Sequence, residues 1–106
     1  MNEQLTKKEA EKLLYSTNEA DVTNILLYVC LNFEDWEWVQ DACLKLLNSE
    51  NENICGLAIT CLGHIARIHS KIDKKKVLPI LKSMNANKKL TGRVEDALED
   101  INTFAE

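Results

Sequence analysis

The sequence predicts an all-α fold, a short α-solenoid of about three helix pairs, and three observations carry that reading. Only 3 glycines and 1 proline interrupt 106 residues. Apolar residues recur at helical rather than alternating spacing throughout. The spacing itself repeats with a period of about 36 residues, in the range of two-helix repeat proteins.

Taken in order, the first helix opens at "TKKE", where Thr6 and Glu9 stand at capping-box spacing. The second spans roughly Ala20 to Phe33. Asp35 has the character of an N-cap for a third helix running to about Leu47, with Val39, Cys43 and Leu46 as its buried face. The polar stretch "NSENEN" supplies a turn before a fourth helix from about Ile54 to His69. Asp73 caps a fifth. Pro79 lies well past that helix's first turn, so the helix either kinks there or begins later than the pattern suggests. The sixth covers about Leu90 to Phe104.

Laying the second, fourth and sixth helices over one another at a shift of 36 aligns Val22, Ala58 and Val94; Ile25, Cys61 and Ala97; Leu26, Leu62 and Leu98; and Val29, Ile65 and Ile101. The small residues Ala20, Gly56 and Gly92 fall together near the helix starts. The odd helices align more loosely, Cys43, Leu44 and Leu47 falling on Ile80, Leu81 and Met84 at a shift of 37. Such a register predicts helix pairs stacking their apolar faces on one another. An up-down bundle sharing the same spacing is the competing arrangement.

A chain of 106 residues predicts one domain. Its 45% hydrophobic and 28% charged composition is ordinary for a globular protein, no apolar run approaches bilayer length, and the N-terminal stretch lacks a secretory signal's apolar segment, so a cytoplasmic location is expected. The net charge of −4 is unevenly spread: residues 1–53 carry 4 basic against 11 acidic side chains, residues 54–106 carry 9 against 6. Such a dipole bears on partner choice and association rate rather than on fold.

The stretch "CLGHIARIHSKID" holds Cys61, His64 and His69 and invites a metal or thiol reading. The repeat argues against both. Cys61 aligns with the core positions Ile25 and Ala97, while His64 aligns with Tyr28 and Asp100, an exposed or groove-facing position. The histidines are five apart, whereas spacings of three or four bring two imidazoles to one helix face. No cysteine pair has zinc-site spacing, so no metal is expected. Cys30, Cys43, Cys55 and Cys61 read as buried free thiols in a reducing compartment. A thiol in an apolar stack has its pKa pushed away from reactivity. The carboxylates Glu95, Asp96, Glu99 and Asp100 form either a solvated face or a contact for something basic. With no phosphate loop, nucleophile elbow or dinucleotide fingerprint, neither an enzyme nor a cofactor is expected.

The segments "DWEWVQDACLKLL", "CLGHIARIHSKID", "VLPIL" and "GRVEDALEDI" together resemble the small bacterial HEAT-repeat proteins, over roughly Asp35 to Ile101. Members of similar size, as the resemblance implies, are often immunity proteins that neutralise a cognate toxin of a polymorphic or contact-dependent inhibition system. Residues 5–33 match the pattern poorly, and Asn85 to Lys89 is basic where the family's turn is usually acidic.

The function expected is therefore protein binding, most concretely to a bacterial toxin domain, with a generic adaptor as the alternative. Two surfaces are nominated. One is the row along the even helices: Tyr28, Thr60, His64, Arg67, Asp96 and Asp100. The other is the acidic-aromatic turn, where Trp38 stands amid Glu34, Asp35, Glu37 and Asp41, angularly offset from the buried face while Trp36 is in line with it. Trp38 reads equally as a partner anchor or as a flank sealing the stack. Gly63 reads either as a point of close approach for a partner backbone or, preferably, as a device for helix packing. A nucleic-acid-binding solenoid is the weaker alternative. Nine basic residues between Arg67 and Arg93 support it, but no aromatics interleave them and the acidic N-terminal half opposes it.

Overall fold

The computed structural model describes residues 5–106. Of the N-terminal stretch read above as lacking a secretory signal, residues 1–4 lie outside the described residues. Six helices follow one another: α1 (Lys7–Leu14), α2 (Glu19–Asn32), α3 (Trp36–Leu46), α4 (Glu52–His69), α5 (Lys74–Met84) and α6 (Thr91–Phe104). There are no strands among the described residues, and no helix among them is long and apolar enough to cross a membrane.

Local chemistry sets where the odd helices begin. Thr6 and Glu9 form a reciprocal capping box at α1, the Thr6 hydroxyl accepting from Glu9 N–H and the Glu9 carboxylate from Thr6 N–H. Asp35 caps α3 by accepting from Trp38 N–H, and Asp73 caps α5 by accepting from Lys76 N–H. Each cap then counts out the same buried positions. Ala10, Val39 and Val77 lie four residues beyond their caps, and Leu14, Cys43 and Leu81 eight residues beyond, all of them buried. Cap to cap, the odd helices are thus 29 residues apart (Thr6 to Asp35) and then 38 (Asp35 to Asp73). The alignment of Cys43 with Ile80 is corrected by one residue, since Ile80 faces outward at 37% exposure and Leu81 takes the buried place. Helix α5 begins at Lys74 and runs through Pro79. The missing donor leaves the Lys75 carbonyl without its helical partner, on the exposed side of the helix where it is open to solvent.

The even helices keep the 36-residue register in their cores. Of the twelve aligned positions, all are buried except Leu98, which is half-buried. Their starts do not keep it. Asn18 and Leu90 cap α2 and α6 two periods apart, whereas Asn51 caps α4 three residues before the midpoint. Helix α4 therefore has an additional turn, and the alignment of Ala20, Gly56 and Gly92 carries no shared environment: only Gly56 is buried.

Helices α2, α4 and α6 lie side by side in that order, with α1 packed on α2, α3 on α4 and α5 on α6. The extents of 37 × 30 × 18 Å match a stack two helices thick. Helix α4 is the spine, meeting α2, α3 and α6, and burying ten of its residues. Gly63 is where α4 and α6 approach closely: a Cβ there would stand 3.2 Å from Ala97 Cα and 3.0 Å from Asp100 Oδ2. Its role is helix packing, and it offers no opening to a partner backbone. Gln40 is buried at the junction of α3 with the α4–α5 turn, where its Oε1 accepts from Asp73 N–H at 2.8 Å.

Glycines 63 and 92 should respond oppositely to alanine. At Gly92 nothing lies within 4 Å of a new Cβ, so Gly92→Ala should stabilise by up to about 1 kcal/mol through helix propensity. At Gly63 the α6 backbone must move, so overpacking of about 1–3 kcal/mol should cancel or exceed the same gain. Urea midpoints for the two variants check this; equal stabilisation by both would refute the close approach of α4 and α6.

Candidate functional site

The row nominated along the even helices is assembled around a groove between α4 and α6 of about 270 Å³. Thr60, His64 and Arg67 line it from α4, and Asp96, Glu99 and Asp100 from α6. The 36-residue register explains this, because side-by-side helices place aligned residues next to one another. Arg67 Nη2 donates to His64 Nδ1 at 2.7 Å, which leaves Nε2 carrying the imidazole proton. Burial, then the Arg67 charge, lowers the His64 pKa against an opposing pull from Asp100, so the ring is neutral near pH 7. Tyr28 stands apart from this groove. It borders a recess between α1 and α2 with Leu13, Asn24 and Ile25, and packs edge-to-face on Phe33 at 6.4 Å between ring centroids.

Arg93 was counted in the basic segment but serves as a brace between helices. Its Nη1 donates to Thr60 Oγ1 at 2.8 Å and to the Gly56 carbonyl at 3.3 Å, with its stem lying where a Gly56 Cβ would project. The Gly56 signal was present in the sequence but pointed to helix starts rather than to an arginine 37 residues away. Glu99, read above within the carboxylate cluster rather than in the row, also joins the groove.

At the second surface, Glu34, Asp35 and Glu37 are all exposed. Asp35 is already engaged twice, capping α3 and pairing with Lys7 Nζ, which ties the turn to α1. The Lys7 hydrogen bond, followed by the Trp38 N–H, holds the Asp35 carboxyl below the usual carboxylate range. Trp36 and Trp38 are both half-buried. Trp38 packs on Phe33 with ring centroids 5.5 Å apart, and its remaining surface faces a groove between α1 and α3. Glu34 and Asp35 line a different recess, with Lys7 and Asn32. The expectation that Trp38 stands amid Glu34, Asp35, Glu37 and Asp41 is thus corrected. Of these, only Asp41 shares its groove, because the first turn of α3 rotates the indole away from the residues just before it.

All four cysteines are free and buried. Cys30 Sγ donates to the Cys61 carbonyl at 3.5 Å, and Cys55 Sγ to the Leu47 carbonyl at 3.5 Å. The hydrogen bond with Cys61, and then burial, push the Cys30 thiol up. At Cys61 the bond from Cys30 pulls downward, but Cys43 and burial outweigh it and the net direction is also up. Thiols so placed are packing groups. Among the described residues, no group of three or more His, Cys, Asp or Glu side chains is arranged to hold a metal ion.

No family model and no curated protein matches the chain. Among solved structures, it is similar to a chain in the crystal structure of a CDI complex from Cupriavidus taiwanensis LMG 19424. The two are 25% identical, the alignment covers 98% of this chain and 96% of that one, and the TM-score is 0.83.

Asp35→Ala should cost about 1 kcal/mol through loss of the cap, whereas Glu34→Gln, which breaks no bond, should leave stability unchanged. Because the Asp35 pKa is depressed in the fold, the stabilisation from its charge is present above the normal carboxylate pKa and lost as pH falls through the folded value. Asp35→Asn, which keeps an acceptor for the cap, should therefore flatten the acid limb of stability against pH, as read by denaturation at several pH values. The four thiols should react with a disulfide reagent only as the protein opens, so their modification should accelerate with urea in step with unfolding. Rapid labelling of Cys61 in the absence of denaturant would overturn the packing role.

Proposed function

We propose that this chain is an immunity protein of HEAT-like architecture, which neutralises a cognate bacterial toxin of a contact-dependent inhibition system by binding it directly. The observation that carries this reading is the likeness, over nearly the full length of both chains, to a component of a CDI complex. Protection of this kind needs no chemistry from the protector. Covering an active site or a substrate-binding surface is enough, and affinity and rate are the properties that matter.

The surface best suited to the task is the α4–α6 groove with its borders. It offers three carboxylates, Asp96, Glu99 and Asp100, beside Arg67, a neutral imidazole and the Thr60 hydroxyl, a graded set that can satisfy a mixed polar surface on a partner. Tyr28, in its separate recess between α1 and α2, lies outside this surface. The acidic turn with Glu34 and Glu37 lies outside the groove and adds long-range attraction for a basic toxin, acting on encounter more than on the lifetime of the complex. Asp35 contributes to that field but is already held within the molecule by its cap and its lysine.

Co-expression with a toxin encoded beside this chain tests the reading. Growth should be restored and a stoichiometric complex recovered. Arg67→Glu combined with Asp96→Lys should weaken that complex about tenfold or more, chiefly through faster dissociation. Glu34→Gln with Glu37→Gln should slow association and reduce its salt dependence while leaving dissociation nearly unchanged. If cells die equally with and without this protein and no complex forms, the immunity reading fails, and an adaptor binding some other protein is the better account.

A further inference from the structure

The α1–α3 groove lies in the layer of odd helices, away from the α4–α6 groove, and its chemistry is different. Leu14 forms a buried floor; Trp38 from α3 and Tyr15 at the end of α1 supply aromatic walls; Glu11 and Asp41 bring carboxylates, and Lys45 one opposing charge. Tyr15 is 67% exposed, a large share for an aromatic residue, and among the described residues no hydrogen bond involves its hydroxyl. Trp38 is fixed from behind by Phe33, so its free face is presented in one orientation. The groove holds about 230 Å³, below the roughly 300–1,000 Å³ of ordinary small-molecule sites and suited to one long side chain.

We propose that this groove seats a single basic side chain, an arginine, projected by a protein partner. Aromatic faces attract a cation through their quadrupoles, arginine stacks on them better than lysine, and its aliphatic stem would cover Leu14. The two carboxylates are placed to neutralise the guanidinium. Asp41 is available for this because its pairing with Lys76 is long, at 3.8 Å, and exposed. Lys45 works against the ligand and sets an upper limit on affinity that its removal should raise. The seat does not depend on the partner being a toxin, and it places a recognition point on the layer opposite the α4–α6 groove.

The test is titration of the isotope-labelled full chain with N-acetyl-arginine methylamide, and in parallel with the citrulline analogue, which is nearly isosteric but uncharged. Amide and indole resonances report the site. The arginine compound should shift the Trp38 indole and the Tyr15 amide in the millimolar range, and citrulline should bind about two- to fivefold more weakly or worse, as expected of a cation–π contact at an accessible site. Glu11→Gln and Asp41→Asn should each weaken arginine binding without altering the spectrum elsewhere, and Lys45→Gln should strengthen it. Equal shifts by the two compounds would show an apolar cleft and overturn the proposal. So would the absence of any shift at Trp38, or a wild-type dimer dispersed by Glu11→Gln, which would make a second copy the occupant. None of these outcomes depends on whether a toxin complex forms, so this inference and the immunity reading can fail separately.

Discussion

Everything in this molecule depends on how closely α6 can approach α4. Helix α4 has neighbours on three sides, and a helix so surrounded must be apolar around most of its circumference and narrow where its neighbours press. The sequence meets both demands by mixing Ile59, Leu62 and Ile65 with Ala58, Cys61, Gly63 and Ala66, all buried. Gly63 allows the backbones to meet, and Arg93 fixes the angle from the other end by reaching across to Thr60 and the Gly56 carbonyl. The α4–α6 groove is what remains above this contact. Its floor is rigid because it is the core.

That rigidity bears on the proposed recognition. A binding surface built on packed helices loses little conformational freedom when a partner arrives, so more of its contact energy appears as affinity. The His64–Arg67 bond adds to this by fixing the imidazole tautomer before any partner is present. The charge distribution acts at longer range. Residues 1–53 carry 11 of the 17 acidic side chains, while six of the 13 basic ones lie on α5 and the turn after it, so the two halves of the chain differ in charge toward anything charged that approaches.

Features that are local in the chain were legible in the sequence. Thr6, Asp35 and Asp73 announced themselves as caps because capping chemistry is confined to four residues. The even helices were legible because three apolar faces meet in one register. What could not be read involved partners distant in sequence. Nothing around Gln40 says that it is buried, since its partner is the Asp73 N–H, 33 residues away. Asn51 was hidden inside a run of polar residues that reads as turn, although it starts α4 with bonds to Asn53 and Ile54 N–H. Trp38 could be placed as offset from the buried face, but the side to which it turned depended on where α1 lies. Of the nominated groove residues, Thr60, His64, Arg67, Asp96 and Asp100 do come together, for the same reason the repeat was visible: aligned positions on neighbouring helices are neighbours in space.

The counting of buried positions from each cap has a consequence for how such a chain can change over evolutionary time. Because α1, α3 and α5 each measure their core contacts from their own first residue, the separation between caps is 29 residues in one place and 38 in the next while the positions four and eight beyond each cap stay buried. Insertions and deletions are absorbed between helices, as the additional turn at the start of α4 illustrates. A lineage built this way can lengthen or trim its surface loops, and so alter what it binds, while the interior stays in register.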